Sequence, residues 1–513
     1  MSAQPIRLLR GFATVGGWTM ASRILGFVRD VLIAAFLGAG PVAEAFFVAF
    51  RLPNMFRRFF AEGAFNMAFV PLFAKRLEGE GREDATRFAE EAMALLATAL
   101  IALTLLAQLA MPWFVWALAS GFEPGESRTW LAEEFSRITF PYILFISLAA
   151  LFSGMLNAFG RFAAAAAAPV LLNVVLIGAM LLGSRLGWEM GSTLAWAVFL
   201  GGICQLLLVE QAARRLGIRL RPCLPKLSPD MRRLIALGIP AALAGGVMQI
   251  NLLVGTQIAS WYDGAIGWLW YADRVYQLPL GIVGVAIGVV LLPDLSRKLR
   301  ADDAAGAATS MNRAAEFALA LTLPATVALV VMPGLIVTVL FERGAFEAAD
   351  TAATATALWI YALGLPAFVL QKVLQPAFFA REDTKTPLRY AIWSMLINVA
   401  AALALMPLVG WLGAAIGTTL AGWAMLAMLW FGARRLSETV RIAPGLATRV
   451  LRMLLAAGLM GLTVLAVAHL GSGLSGAMLL TLAVLAGLTS YGAAAIMLGA
   501  VRISDLRAAL SRG

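Results

Sequence analysis

The chain alternates between long apolar blocks and short charged stretches, and the blocks fall near residues 12–37, 44–74, 90–118, 136–158, 164–184, 191–212, 234–260, 265–296, 313–340, 352–380, 387–407, 411–433, 450–470 and 477–500. A helix rising about 1.5 Å per residue needs roughly 20 residues to cross about 30 Å of hydrocarbon, and every block reaches that length. The period-two alternation of a barrel strand is absent. The pattern predicts an all-α polytopic membrane protein with about fourteen transmembrane helices.

An even number of crossings puts both termini on one side. The connection from Arg214 to Arg233 holds Arg214, Arg215, Arg219, Arg221, Lys226, Arg232 and Arg233 against Asp230 alone, which places it in the cytoplasm. Lys75, Arg76, Arg297, Lys298, Lys385, Arg434 and Arg435 fall on the same side, whereas opposite loops are neutral or acidic, as at 121–126. The expected topology is therefore N-in and C-in.

A weak internal repeat gives this succession an architecture. Ala213-Arg214-Arg215-Leu216 recurs as Ala433-Arg434-Arg435-Leu436, Pro141 and Asn173 return as Pro366 and Asn398, and Val70-Pro71-Leu72 resembles Leu292-Pro293-Asp294. Residues 12–216 thus match 234–436, with six helices in each copy and parallel orientation. The predicted organisation is an N-lobe (1–216), a basic cytoplasmic linker (217–233), a C-lobe (234–436) and a C-terminal helix pair (437–513). Two similar lobes around a central cavity are a transporter architecture, with the substrate site expected between them.

Composition narrows the chemistry. Of 513 residues 61% are hydrophobic and 13% charged, and the net charge of +11 is spread through loops rather than gathered in a patch, which argues against nucleic-acid binding. Cys204, Cys223 and the single His469 cannot build a metal cluster or disulfide framework, and His469 reads as an interfacial residue. No GxxxxGK loop is present and no Ser-His-Asp, HExxH or Cys-His arrangement can be assembled, so an enzyme and direct ATP driving are not expected. The first apolar stretch is too long and too interrupted by arginine for a cleavable signal peptide.

Ionisable residues inside spans are costly and face protein or water. Here they concentrate in the first, second and eighth spans. Arg23 and Asp30 are seven residues apart and share a face within about 20°, while Arg29 points elsewhere. Glu44, Arg51 and Arg58 recur every seven residues, with Arg57 beside them and Glu62 one turn on; the eighth span carries Asp273 and Arg274. Arg23, Arg57 and Arg274 lie about 16, 20 and 15 Å deep, near the midplane, and Arg29 lies closer to the periplasmic face.

Asp30, Glu44, Glu62 and Asp273 are too few to neutralise Arg23, Arg29, Arg51, Arg57, Arg58 and Arg274, so the surplus asks for an anion. Planar bidentate guanidinium groups suit a diphosphate. Plainer readings stand beside this one. Arg23 with Asp30, and Arg58 with Glu62, also read as structural ion pairs, and Glu44 as a carboxylate favoured by a helix N-terminus. Lys372, in the tenth span, reads as a cavity charge or as a snorkelling side chain.

The run SRILGFVRD at 22–30, AFFVAFRLPNMFRRFFAEGAFNMAFVP at 45–71, FPYILFISLAALFSGMLNAFGRF at 140–162, YADRVYQLPLGIVGVAIGVVLLP at 271–293 and REDTKTP at 381–387 closely resemble the MurJ (MviN) lipid II flippases, of the multidrug/oligosaccharidyl-lipid/polysaccharide (MOP) exporter superfamily. The resemblance implies two six-helix lobes, a cationic cavity and a terminal helix pair forming a groove for a polyprenyl tail. It implies a bacterial inner-membrane protein that moves undecaprenyl-diphosphate-linked disaccharide pentapeptide to the periplasmic leaflet for peptidoglycan synthesis, alongside membrane lipids and the cell-wall machinery. The family's important arginines match Arg23, Arg29, Arg57 and Arg274, with Asp273 and Arg58 in the same motifs; Glu44 stands where many relatives have Asp. Some relatives of similar fold bind sodium through carboxylates in the seventh and eleventh helices. Residues 234–260 and 387–407 hold no Asp or Glu, so no cofactor or sodium site is expected and membrane potential is the expected driving force. The rival readings are a flippase of another polyprenyl-diphosphate glycan and a drug/ion antiporter of the same superfamily.

Overall fold

The computed structural model describes residues 4–57, 65–436 and 443–500. It is helical, with no strand among the described residues: α1 (Gln4–Leu37), α2 (Pro41–Arg57), α3 (Phe65–Gly79), α4 (Arg82–Leu109), α5 (Met111–Leu118), α6 (Ser127–Thr139), α7 (Tyr142–Ala158), α8 (Ala163–Leu186), α9 (Met190–Arg215), α10 (Pro229–Ala259), α11 (Ala265–Arg300), α12 (Ala304–Val331), α13 (Pro333–Phe341), α14 (Ala348–Phe379), α15 (Lys385–Val409), α16 (Leu412–Leu436), α17 (Leu446–Leu470) and α18 (Gly476–Met497). Ten helical segments among the described residues are long and apolar enough to cross a membrane by length and composition.

Hydropathy blocks and helices differ where proline intervenes. The block 90–118 is two helices, α4 and α5, because Pro112 opens α5; the block 313–340 is likewise α12 and α13, with Pro333 opening α13. Proline lacks the N–H that would continue the preceding ladder, and its fixed φ suits a first turn. The two breaks fall at equivalent points of the sequence repeat, which a hydropathy sum does not register.

The chain divides into two compact units, Met1–Gly267 and Trp268–Gly513. In the first, α1 packs on α8, α7 and α8 on α9, and α10 runs beside α3, α4 and α5. Small residues make the close approaches: a Cβ on Gly201 would stand 2.5 Å from Leu172, and one on Gly202 2.7 Å from the Tyr142 ring. Without a hydrophobic drive between helices in lipid, such tight packing and polar contacts hold them together. Tyr142 donates to Gln205 Oε1 at 3.1 Å, and Gln205 Nε2 donates to the Ala168 carbonyl at 2.8 Å, tying α7, α8 and α9 through one buried amide.

Of the basic linker expected at 217–233, residues 217–228 run without regular helix along α4, and α10 already begins at Pro229. The Arg221 amide donates to Glu90 Oε1 at 2.8 Å and Ser228 Oγ to Glu91 Oε2 at 2.7 Å, while Arg76 pairs with Asp84 at 2.5 Å and Asp230 at 2.7 Å.

In the second unit α14 packs on α12 and α16, α15 on α16, and the pair α17–α18 on α12. Leu323 of α12 is buried with Met453, Ala456, Ala457, Ala494 and Ala495 from that pair. Tyr491 Oη donates to the Ala320 carbonyl at 2.7 Å and Arg449 pairs with Glu316 at 2.9 Å, so the C-terminal pair is fastened to α12. The outer flank of α17 exposes Leu451, Leu455, Leu459 and Leu462.

Gly202→Val is expected to lower the melting temperature in detergent by several degrees. The added side chain meets the Tyr142 ring, and overpacking a tight contact costs about 1–3 kcal/mol; an unchanged melting curve would contradict this account of the α7–α9 contact.

Candidate functional site

Ser22, Gly26, Arg29 and Asp30 follow the i, i+4, i+7, i+8 spacing of one helix face, and that face of α1 meets α8. Arg29 donates through Nε and Nη2 to Asp30 Oδ1 at 3.0 and 2.7 Å, and through Nη1 to Asn173 Oδ1 at 2.9 Å. Its guanidinium also lies 5.6 Å from the centroid of the Phe50 ring. Asn173 completes the arrangement by donating from Nδ2 to the Ser22 carbonyl at 3.0 Å. Arg29 and Asp30 are buried, at 9% and 2% exposure, whereas Arg23, one position off this face, is exposed.

Helical phase puts Asp30 with Arg23 and turns Arg29 away. The structure reverses that pairing: the Asp30 carboxylate belongs to Arg29, its neighbour in sequence. A long guanidinium arm spans the roughly 100° between adjacent positions, and Asn173 and Phe50 hold it there. Arg23 makes no ion pair among the described residues.

On α2, Arg51 and Arg57 are half-buried. Arg57 lies in the last turn and donates from Nε to Asn54 Oδ1 at 3.2 Å, with Asn54 donating in turn to the Phe50 carbonyl at 2.7 Å. A cation suits that end of the helix dipole. Arg58 and Glu62 lie outside the described residues.

Glu44, at the other end of α2, is fully buried and is not a loose charge. Its Oε1 accepts from the Ile266 amide at 3.2 Å, in the first turn of α11, and its Oε2 lies 3.4 Å from Arg128 Nη1. Arg128 also pairs with Glu126 at 2.9 Å and Asp263 at 2.7 Å, and stacks 4.9 Å from the Phe122 ring. Nearby, the Gly121 amide donates to Ser260 Oγ at 2.9 Å and Ser120 Oγ to Gln257 Oε1 at 2.5 Å, and a Cβ on Gly121 would lie 2.4 Å from the Trp261 nitrogen. One arginine thus clasps α2, the start of α6 and the α10–α11 turn. Sequence reading missed Arg128, because no spacing rule links positions 44, 128, 263 and 266; the acidic run at 121–126 was its only local sign.

In the second unit, Arg274 lies 3.2 Å from Asp273 and 4.6 Å from the centroid of the Trp270 ring, and the Gln277 amide donates to the same Asp273 oxygen. Arg274 Nε and Tyr276 Oη are buried without a hydrogen-bond partner among the described residues. Each unit therefore holds an arginine beside an aspartate of adjacent number, Arg29–Asp30 and Asp273–Arg274. Lys372 is exposed on α14 with its stem beside Gly284, where a Cβ would stand 3.9 Å from its Cγ, and His469 is exposed at the end of α17. In the motif at 381–387, Asp383 Oδ1 accepts the Thr386 amide at 2.9 Å, a contact that pulls its carboxyl below the usual range and shapes the turn into α15.

The family model described as "Lipid II flippase MurJ" matches residues 33–485. The probable lipid II flippase MurJ of Rhizobium tropici is 44% identical over 517 residues, which cover 98% of this chain and 97% of that protein. Among solved structures, a lipid II flippase MurJ in an inward closed conformation matches with a TM-score of 0.79 at 25% identity, over 94% of this chain and 98% of the other. An inward-facing multidrug resistance MATE family transporter of the MOP superfamily matches with a TM-score of 0.69 at 16% identity, over 84% of this chain and 99% of the other, a likeness of fold.

The clasp around Arg128 has a measurable consequence. Glu44→Ala removes the acceptor of the Ile266 amide and one partner of a buried guanidinium, a loss worth about 1–3 kcal/mol. Hydrogen exchange at the start of α11 is expected to accelerate about tenfold; unchanged exchange there would mean that Glu44 does not hold that turn.

Proposed function

The chain belongs to the lipid II flippase MurJ family, and we propose that it carries undecaprenyl-diphosphate-linked disaccharide pentapeptide from the cytoplasmic to the periplasmic leaflet of the bacterial inner membrane, by alternating access, for peptidoglycan synthesis. In this reading α1, α2 with α3, α10 and α11 join the ten apolar segments to make fourteen crossings, with both termini in the cytoplasm.

The observation that carries the reading is where the acids go. Asp30 is taken by Arg29, Asp273 by Arg274 and Gln277, and Glu44 by Arg128 and the Ile266 amide, so no described acid pairs with Arg23. A cation left uncompensated in an apolar helix is costly unless an anion arrives. Arg23, Arg57 and Arg274 are assigned to the diphosphate, whose oxygens accept the paired N–H groups of guanidinium. Arg29 and Asp30 support them, Arg51, Arg58, Glu62 and Lys372 set the surrounding charge, and Glu44 belongs to the Arg128 clasp.

Bound diphosphate offsets repulsion among the arginines, favours closure on the cytoplasmic side and is released when the periplasmic side opens. The polyprenyl tail stays in the bilayer beside α17 and α18, whose exposed leucines suit it. Membrane potential acting on the cationic helices supplies the drive, since one charge crossing the field is worth about 2.3 kcal/mol per 100 mV. The role is transport rather than covalent chemistry.

Arg23→Ala, Arg57→Ala and Arg274→Ala are each expected to abolish lipid II flipping in proteoliposomes while the protein still inserts and elutes as a single species. Wild-type flipping by these variants would sink the assignment, and cells depleted of the protein are expected to accumulate lipid II on the cytoplasmic leaflet.

A further inference from the structure

Helix α1 carries Arg23 and Arg29 and one acid, Asp30, which shares a face with Arg23 and adjoins Arg29 in sequence. Which of them receives the carboxylate decides which remains a full positive charge. Helical phase offers Asp30 to Arg23, two turns away on nearly the same face, whereas Arg29 lies about 100° round the helix. The structure gives it to Arg29, and the side chain that enforces the choice comes from another helix. Asn173 of α8 accepts from Arg29 Nη1 at 2.9 Å while donating to the Ser22 carbonyl at 3.0 Å, so one buried amide is anchored at the near end of the stretch and holds the guanidinium at its far end. Gly26 lies between those two contacts. A Cβ there would sit 3.6 Å from Asn173 Nδ2, so the amide lies directly over the notch that the glycine leaves.

We propose that Asn173 is a positioning residue for transport: it locks Arg29 onto Asp30, and so withholds the Asp30 charge from Arg23, which stays free to meet the substrate diphosphate. Three of the five N–H groups of Arg29 are engaged by Asp30 and Asn173, and Phe50 covers one face of its plane. Asn is suited to the position because it accepts from a guanidinium without adding a second charge, and its NH2 satisfies a helix carbonyl at the same time. An aspartate at 173 would accept from Arg29 equally well, but as a second carboxylate beside the same guanidinium it would repel Asp30 and turn it toward Arg23.

That property yields a test by charge exchange. The proposal rests on Arg23 binding the diphosphate, so Arg23→Ala is measured in parallel. Lipid II is titrated against purified variants in proteoliposomes, and both the half-saturating concentration and the maximal flipping rate are read. Asn173→Asp is expected to raise the half-saturating concentration about tenfold with the maximal rate within about twofold, because a carboxylate released about 10 Å from Arg23 in a medium of effective dielectric near 20 weakens its pull by that order. The double variant N173D/D30N moves the carboxylate from α1 to α8 at constant net charge, and is expected to recover to within about threefold of wild type. A residue that only filled space would show no such rescue.

Gly26 supplies an independent arm. Gly26→Ala is expected to behave as wild type, since its Cβ would be in ordinary contact, whereas Gly26→Leu displaces Asn173 and is expected to reproduce the loss of affinity. Wild-type half-saturation in N173D or G26L, or a double variant no better than N173D alone, overturns the proposal. If Arg23→Ala binds lipid II as wild type does, the diphosphate assignment itself falls; if Arg23→Ala loses binding and the 173 and 26 variants do not, only the positioning role falls.

Discussion

A guanidinium removed from water needs acceptors for its N–H groups, and three arginines share one arrangement, buried Arg29 and Arg128 and half-buried Arg274. Arg29, Arg128 and Arg274 each have a carboxylate within 3.2 Å and an aromatic ring under the cation, at 5.6, 4.9 and 4.6 Å from the ring centroid. The carboxylate removes most of the charge from the hydrocarbon, and the ring shields what the carboxylate leaves uncovered. Some partners lie on the arginine's own helix, as Asp30 and Asp273 do, and others, such as Asn173, Phe50 and Glu44, come from neighbouring helices.

Close approach is made by missing side chains. Gly26 opens the place where Asn173 reaches α1, Gly121 admits the backbone at Trp261, and Gly201 and Gly202 let α8 and α7 lie against α9. Buried amides join neighbouring helices at such approaches: Asn173, Gln205 and, in the second unit, Gln371, which donates to the Gly422 carbonyl at 2.8 Å. An amide serves better than a charge here, because it joins two backbones without asking for a counter-ion. Arg23 is the departure from this economy. It is exposed and pairs with no acid among the described residues.

The two units also repeat one another in their irregularities. Each breaks a long apolar block with a proline that starts a short helix, Met111–Leu118 in one and Pro333–Phe341 in the other.

Hydropathy by itself determined the all-helical membrane class and most helix ends, because segment length and polarity are properties of neighbouring residues. The motifs identified the family, since the runs at 22–30, 45–71 and 271–293 carry it in consecutive letters. Only the tertiary structure decided who pairs with whom. Asp30 goes to Arg29 because Asn173, 144 residues away from Arg29, holds the arginine there, and Glu44 is spoken for because Arg128 and the Ile266 amide fold onto it from 84 and 222 positions away. Helical phase states which positions share a face, but a side chain as long as arginine reaches beyond its own face. Its final direction is set by acceptors on other helices, which no local pattern contains.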